Sequence, residues 1–130
     1  MIPLVLDHVG IATPSISGAA RHYELLTGTP CSPVEPIPAH GVNVAFIGQI
    51  ELLEPSGDGS PLHRFLERRG PGLHHVAYRV PDLTDALRRL SDDGAQLIDA
   101  APRPGARGHQ VAFVHPKSAG GVLWELVEVK

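Results

Sequence analysis

Cysteine is all but missing from this 130-residue chain. Cys31 alone cannot form an internal disulfide, and between Pro30 and Ser32-Pro33 it lacks the strand-to-helix turn that would present a nucleophilic thiol. It reads as a small loop residue. Aromatic rings are also scarce, with one Trp, two Tyr and three Phe, which leaves little surface for a cleft that stacks a flat ligand. No apolar run approaches the roughly 20 residues that cross a bilayer, and the N-terminus lacks a charged stretch followed by an apolar core and a cleavage site. A cytoplasmic protein with no membrane partner is therefore expected. The formal net charge of -3 gives no basic footprint, so no nucleic-acid partner is expected. What remains, 42% hydrophobic and 19% charged, is the composition of an ordinary globular chain.

The chain repeats itself at an offset of 67 positions. Leu6-Asp7-His8-Val9 returns as Leu73-His74-His75-Val76, Pro14 as Pro81, Ala19 as Ala86, Arg21 as Arg88, and Val44-Ala45-Phe46-Ile47 as Val111-Ala112-Phe113-Val114. After about seven extra residues, Ile50-Glu51-Leu52 is answered by Leu123-Trp124-Glu125-Leu126. Each half has only about 60 residues, too few to bury a comfortable core alone, so the two halves are expected to pack together.

Each half reads as βαβββ. In the first, strand 3–12 leads to a helix with Ile16, Ala19, Ala20, Tyr23 and Leu26 on one face, capped near Thr13-Pro14-Ser15 and stopped at Gly28. The proline-rich stretch 29–41 reads as an irregular or edge segment, and 42–47 and 50–53 as strands joined at Gly48-Gln49. Ser60-Pro61 opens a linker helix that ends at Gly70. The second half reads as strand 73–80, a helix capped by Asp82, and strands 96–100, 110–115 and 122–129. The expected organisation is one domain over 1–130, with modules of about 3–56 and 72–130 joined by the helix at about 60–70.

Strand alternation sorts the histidines. Val5, Val9 and Ile11 share the face that packs on a helix, which leaves His8 on the other; Val76, Tyr78 and Val80 do the same for His75, whereas His74 shares their apolar face. Glu51 and Glu125 lie inside strongly apolar strands, where a buried carboxylate is costly unless paired or bound to metal. A lone strand His or strand Glu has an ordinary reading, as a hydrogen-bonded or outward-facing residue. Four of them at repeat-equivalent places read instead as a divalent-metal site: His8, Glu51, His75 and Glu125. Two neutral imidazoles and two carboxylates without thiolate suit Co²⁺, Mn²⁺, Ni²⁺, Fe²⁺ or Zn²⁺ and leave two positions of a six-coordinate ion for a substrate with two oxygens. His22, His40, His63, His109 and His115 default to surface or structural roles, and Arg64, Arg68, Arg69, Arg103, Arg107 and Lys117 are the cations available to an anionic substrate.

Further stretches join this pattern: Leu6-Asp7-His8-Val9-Gly10-Ile11-Ala12, His40-Gly41-Val42, Glu51-Leu52-Leu53-Glu54-Pro55, Ser60-Pro61 with Phe65-Leu66, Gly72-Leu73-His74-His75, and His115-Pro116-Lys117 followed by Gly120-Gly121-Val122-Leu123 and Glu125-Leu126. With them the whole chain resembles the vicinal oxygen chelate superfamily and, within it, the methylmalonyl-CoA epimerases. The resemblance implies an α+β fold of two tandem βαβββ modules packed as one domain, with a curved mixed sheet enclosing a metal site. It implies an isomerase, commonly a homodimer, that interconverts (2R)- and (2S)-methylmalonyl-CoA through an enolate with a divalent metal, Co²⁺ foremost. Carried over, His8, His75 and Glu125 fall on metal ligands, and Glu51 falls where some members have Gln and others Glu. Some members place a second acid/base Glu where this chain has Val44, so Glu125 and Glu51 are expected to divide the proton transfer. Glyoxalase I shares the His-Glu-His-Glu set, but its loops differ from His115-Pro116-Lys117 and Ser60-Pro61. A metal-free drug-binding protein of the same fold would leave both strand carboxylates unexplained, and extradiol dioxygenases are usually much longer.

Overall fold

The computed structural model describes residues 5–129, so Pro3 and Leu4, read above as the start of the first strand, lie outside the described residues. The described residues form an α+β fold of eight strands and three α-helices. The elements β1 (Val5–Ala12), α1 (Ile16–Thr27), β2 (Glu35–Ile37), β3 (Val42–Ile47) and β4 (Ile50–Pro55) are followed by α2 (Pro61–Arg69). The order then recurs as β5 (Gly72–Arg79), α3 (Leu83–Asp92), β6 (Arg103–Pro104), β7 (Gln110–Val114) and β8 (Trp124–Glu128). The chain divides into two compact units, Val9–His74 and Met1–His8 with His75–Lys130, so each of β1 and β5 contributes to both. None of the helices is long and apolar enough to cross a membrane.

Within Val9–His74 the strand order is β2-β3-β4-β1, with β1 parallel to β4 and the other pairs antiparallel. The second unit has the matching order β6-β7-β8-β5, with β5 parallel to β8. Helix starts follow from local chemistry: the Ser15 hydroxyl accepts from the Gly18 amide, Ser60 from His63 and Asp82 from Asp85. Gly28, at φ 68°, takes the left-handed turn that ends α1. α1 lays Ile16, Ala19, Ala20 and Tyr23 on Ile11, Ala45, Ile47 and Leu52; α3 lays Leu83, Ala86, Leu87 and Leu90 on Val80, Ala112, Val114, Leu126 and Trp124. Leu26, expected on the packed face of α1, is 82% exposed, because the helix residues of that cluster end at Tyr23, one turn earlier.

Two carboxylates three residues apart on a strand point to opposite faces. Glu54 on β4 turns to the helix side and accepts from the Ile16 amide at 2.7 Å; Glu128 on β8 does the same for the Leu83 amide at 2.8 Å. Glu51 and Glu125 are thereby left to the faces away from α1 and α3.

The strand expected at 96–100 is reduced to a single bridge, Leu97 to Val114. The Ile98 and Asp99 amides both donate to the Phe113 carbonyl, and the Asp99 carboxylate accepts from the Phe113 amide at 2.9 Å, which ends the ladder. The edge strand forms instead at Arg103–Pro104, opposite Val111 and Gln110. Beside it, a Cβ on Gly105 would lie 2.7 Å from Val111 Cγ1, and Val111 is buried. Gly105→Ala is therefore expected to destabilise the fold by about 1–3 kcal/mol, read as a lower denaturant midpoint at unchanged slope.

Candidate metal centre

β1 and β5 deliver two histidines, and β8 delivers a carboxylate, to one buried cluster. His8 Nε2 lies 3.1 Å from His75 Nε2 and 3.0 Å from Glu125 Oε1, and His75 Nε2 lies 3.3 Å from the same oxygen. The register explains the meeting: Glu125 sits beside Ala77 on the neighbouring strand, and His75 precedes Ala77 by two residues on the same face. Ala77, fully buried with only a methyl group, leaves room beside it for the longer side chains. The His8 and His75 rings meet edge to face at 5.2 Å, and Phe113, directly opposite Glu125 on β7, closes on His75 at 5.7 Å.

The orientation of His8 is fixed from behind. Its Nδ1 donates to Asp7 Oδ2 at 2.6 Å; Asp7 Oδ1 accepts from Arg79 Nε at 2.8 Å and Oδ2 from Arg107 Nη2 at 3.0 Å. Burial pushes the Asp7 carboxyl up, but hydrogen bonds from His8 and Arg79 and the charges of His8 and Arg107 outweigh it and hold the group below its ordinary value of 3.8. An ionised Asp7 keeps the proton on Nδ1, so the lone pair of His8 Nε2 faces His75 and Glu125. This is the carboxylate–histidine arrangement that orients metal ligands.

The donor set fits a divalent cation. Only one proton can sit between two imidazole nitrogens 3.1 Å apart, and Glu125 adds a buried acceptor to the same point. Ligand atoms about 2.1 Å from a shared ion stand about 3.0 Å apart in adjacent octahedral positions. The observed separations of 3.0, 3.1 and 3.3 Å match that spacing.

The other sequence-derived residues fall as follows. Glu51, in the Val9–His74 unit, is buried on β4 opposite Gly10 of β1 and Phe46 of β3. His74 packs its ring edge on Phe65 at 4.8 Å. Burial, then the charge of Arg107, holds His109 below its ordinary 6.5 in spite of Asp7. His115 accepts from the Lys117 amide as a cap, and His63 lies 3.6 Å from Glu67. Arg103 and Arg107, read in sequence as loop cations for an anion, are engaged by Asp99 and Asp7. Asp7, Arg79 and Phe113 are site residues that sequence reasoning did not single out. Phe113 had one signal: it is the repeat partner of Phe46, and each faces the strand Glu of its own half.

Comparison with known proteins identifies the family. Residues 7–113 match the family described as the Glyoxalase/Bleomycin resistance protein/Dioxygenase superfamily. An ethylmalonyl-CoA/methylmalonyl-CoA epimerase of Cereibacter sphaeroides is 42% identical, over 95% of this chain and 97% of its own length. The crystal structure of methylmalonyl-CoA epimerase from Mycobacterium tuberculosis superposes with a TM-score of 0.92 at 35% identity, covering 100% of this chain and 93% of that one. A methylmalonyl-CoA epimerase solved in complex with methylmalonyl-CoA and NH4+ gives 0.91 at 30% identity, covering 96% and 94%. A His-His-Glu cluster on a twice-repeated βαβββ order, with epimerases as relatives along the whole chain, places this protein in the glyoxalase/bleomycin resistance protein/dioxygenase superfamily and, within it, among the methylmalonyl-CoA epimerases, which are isomerases.

Proposed function

We propose that this chain interconverts (2R)- and (2S)-methylmalonyl-CoA by removing the α-proton from one face and delivering a proton to the opposite face of an enolate. The observation that carries this reading is the buried convergence of His8 Nε2, His75 Nε2 and Glu125 Oε1. The relatives supply the substrate class, an acyl-CoA.

His8, His75 and Glu125 would hold a divalent cation, with Glu51 as the fourth ligand. Support for Glu51 comes from its register with Gly10, which follows His8 by two positions on the same face of β1. A divalent cation bound there supplies a Lewis acid that stabilises negative charge developing on the substrate oxygens. Co²⁺ is the first choice, and Mn²⁺, Ni²⁺, Zn²⁺ and Fe²⁺ share the donor preference. The residues do the rest. Asp7 keeps His8 Nε2 turned inward. Phe113 and the buried strands around it exclude bulk water from the Glu125 carboxylate. Glu125 and Glu51 divide the proton transfer, because Val44, buried on β3, brings no third carboxylate to that strand. A cytoplasmic homodimer completes the proposal: a partner protomer would cover apolar side chains such as Leu25, which is 73% exposed.

The test is proton NMR of methylmalonyl-CoA in D₂O with Co²⁺-loaded protein. Loss of the α-proton signal that stops when the ion is chelated and returns when it is restored is expected. A folded, Co²⁺-loaded protein that leaves the α-proton in place would overturn the assignment. Glu51→Gln separates ligand from base: it is expected to keep Co²⁺ and to slow the exchange, and retention of both would remove Glu51 as a base.

A further inference from the structure

Arg107 is the one non-glycine residue with a positive φ among the described residues, at φ 59° and ψ 24°. A side chain in this region crowds its own backbone, and such strain persists where the surroundings hold it in place. The turn itself does not require it. The equivalent turn 67 residues earlier places His40 at this position without a positive φ, and gives the left-handed conformation to Gly41 at 66°. The second half instead makes Arg107 and Gly108 left-handed in succession.

The strained residue reaches across 100 positions of sequence to Asp7. Its Nη2 donates at 3.0 Å to the Oδ2 that also accepts from His8 Nδ1. Arg79 Nε holds the other oxygen. The Asp7 side chain is fully buried, whereas those of Arg79 and Arg107 are 51% and 40% exposed, so the two guanidiniums close the carboxylate off from solvent. Apart from Arg107, Oδ2 is held only by His8, the group that Asp7 has to orient; the second guanidinium gives that oxygen an anchor independent of the imidazole, as Arg79 gives Oδ1.

We propose that Arg107 is a positioning residue of the metal centre: its left-handed backbone aims the guanidinium at Asp7, which holds His8 Nδ1 and so keeps His8 Nε2 facing His75 and Glu125. The inference rests on the metal reading above and concerns how the ligand is held. Outer groups of this kind typically alter metal affinity 10–100-fold.

The experiment is a Co²⁺ titration of the metal-free protein, followed by the visible bands of the bound ion, for the parent, Arg107→Gly, Arg107→Asn and Arg103→Ala. Gly and Asn both tolerate a φ near 60°, so these variants remove the guanidinium while keeping the backbone turn. Affinity about tenfold or more weaker in both, with shifted bands, is expected. Arg103→Ala, whose guanidinium engages Asp99, should bind as the parent does. Parent-like affinity and spectrum in both Arg107 variants would overturn the inference and leave the metal reading intact. A parent that binds no Co²⁺ would overturn both.

Discussion

Glu125→Gln, at saturating Co²⁺, should slow exchange of the α-proton by about 10²–10⁴-fold, the range that a positioned acid or base contributes. The substitution keeps the side chain's size beside Ala77 and Phe113 but removes its negative charge. The same change takes a charged partner from two histidine nitrogens 3.0 and 3.3 Å away, so Co²⁺ affinity should fall as well. His75→Ala should go further and reduce exchange to the uncatalysed rate. The fold should survive in both, as checked by circular dichroism and melting of the metal-free proteins. Exchange within about tenfold of the parent rate in Glu125→Gln would remove this residue from the proton transfer.

Asp7→Ala should weaken Co²⁺ binding about 100-fold, toward the upper end for groups that orient metal ligands, because His8 Nδ1 and two guanidiniums lose one shared acceptor. Removing one member of a buried ion pair costs about 3–5 kcal/mol. Here the arginines are about half exposed and can turn to water, so about 1–3 kcal/mol is expected for the metal-free protein. The pH dependence has a definite sign. The folded Asp7 carboxyl titrates below its ordinary 3.8. Its contribution is therefore complete above the unfolded value and is lost as pH falls through the folded one. Below about pH 4 the metal-free parent should lose stability more steeply than Asp7→Asn. Denaturant unfolding at a series of pH values measures both slopes, and equal slopes would remove Asp7 as the source.

The parts of this centre legible in sequence are those governed by strand alternation. A period of two puts His8 and His75 on the faces away from the helices and sends His74 to the opposite side, where its ring meets Phe65. Glu125 and Glu51 stood out because each is a carboxylate inside an apolar strand. The supporting groups carry no such signature. Arg107 looks like any loop cation, and its meeting with Asp7 depends on how a turn left-handed at a non-glycine residue aims one side chain. Asp7 adjoins a candidate ligand, yet its role is fixed only by arginines 72 and 100 positions away. The edge strand at Arg103–Pro104 was hidden for a similar reason: the Asp99 side chain takes a backbone amide and ends the strand expected at 96–100. Side-chain bonds to backbone override local propensity and leave no periodic trace.

The unit that carries His8, His75 and Glu125 is assembled from both ends of the sequence, the chain up to His8 and the chain from His75 onward. On a ribosome, at about 5–20 residues per second, Asp7 and His8 emerge several seconds before Arg107 and Glu125 exist. Until then the nascent chain offers isolated imidazoles and carboxylates, whose hold on any ion is that of an open peptide. Loading of the proposed ion would thus be deferred to the end of synthesis. The choice of metal would then fall to a finished cage with set spacings and not to whichever ion the growing chain meets first.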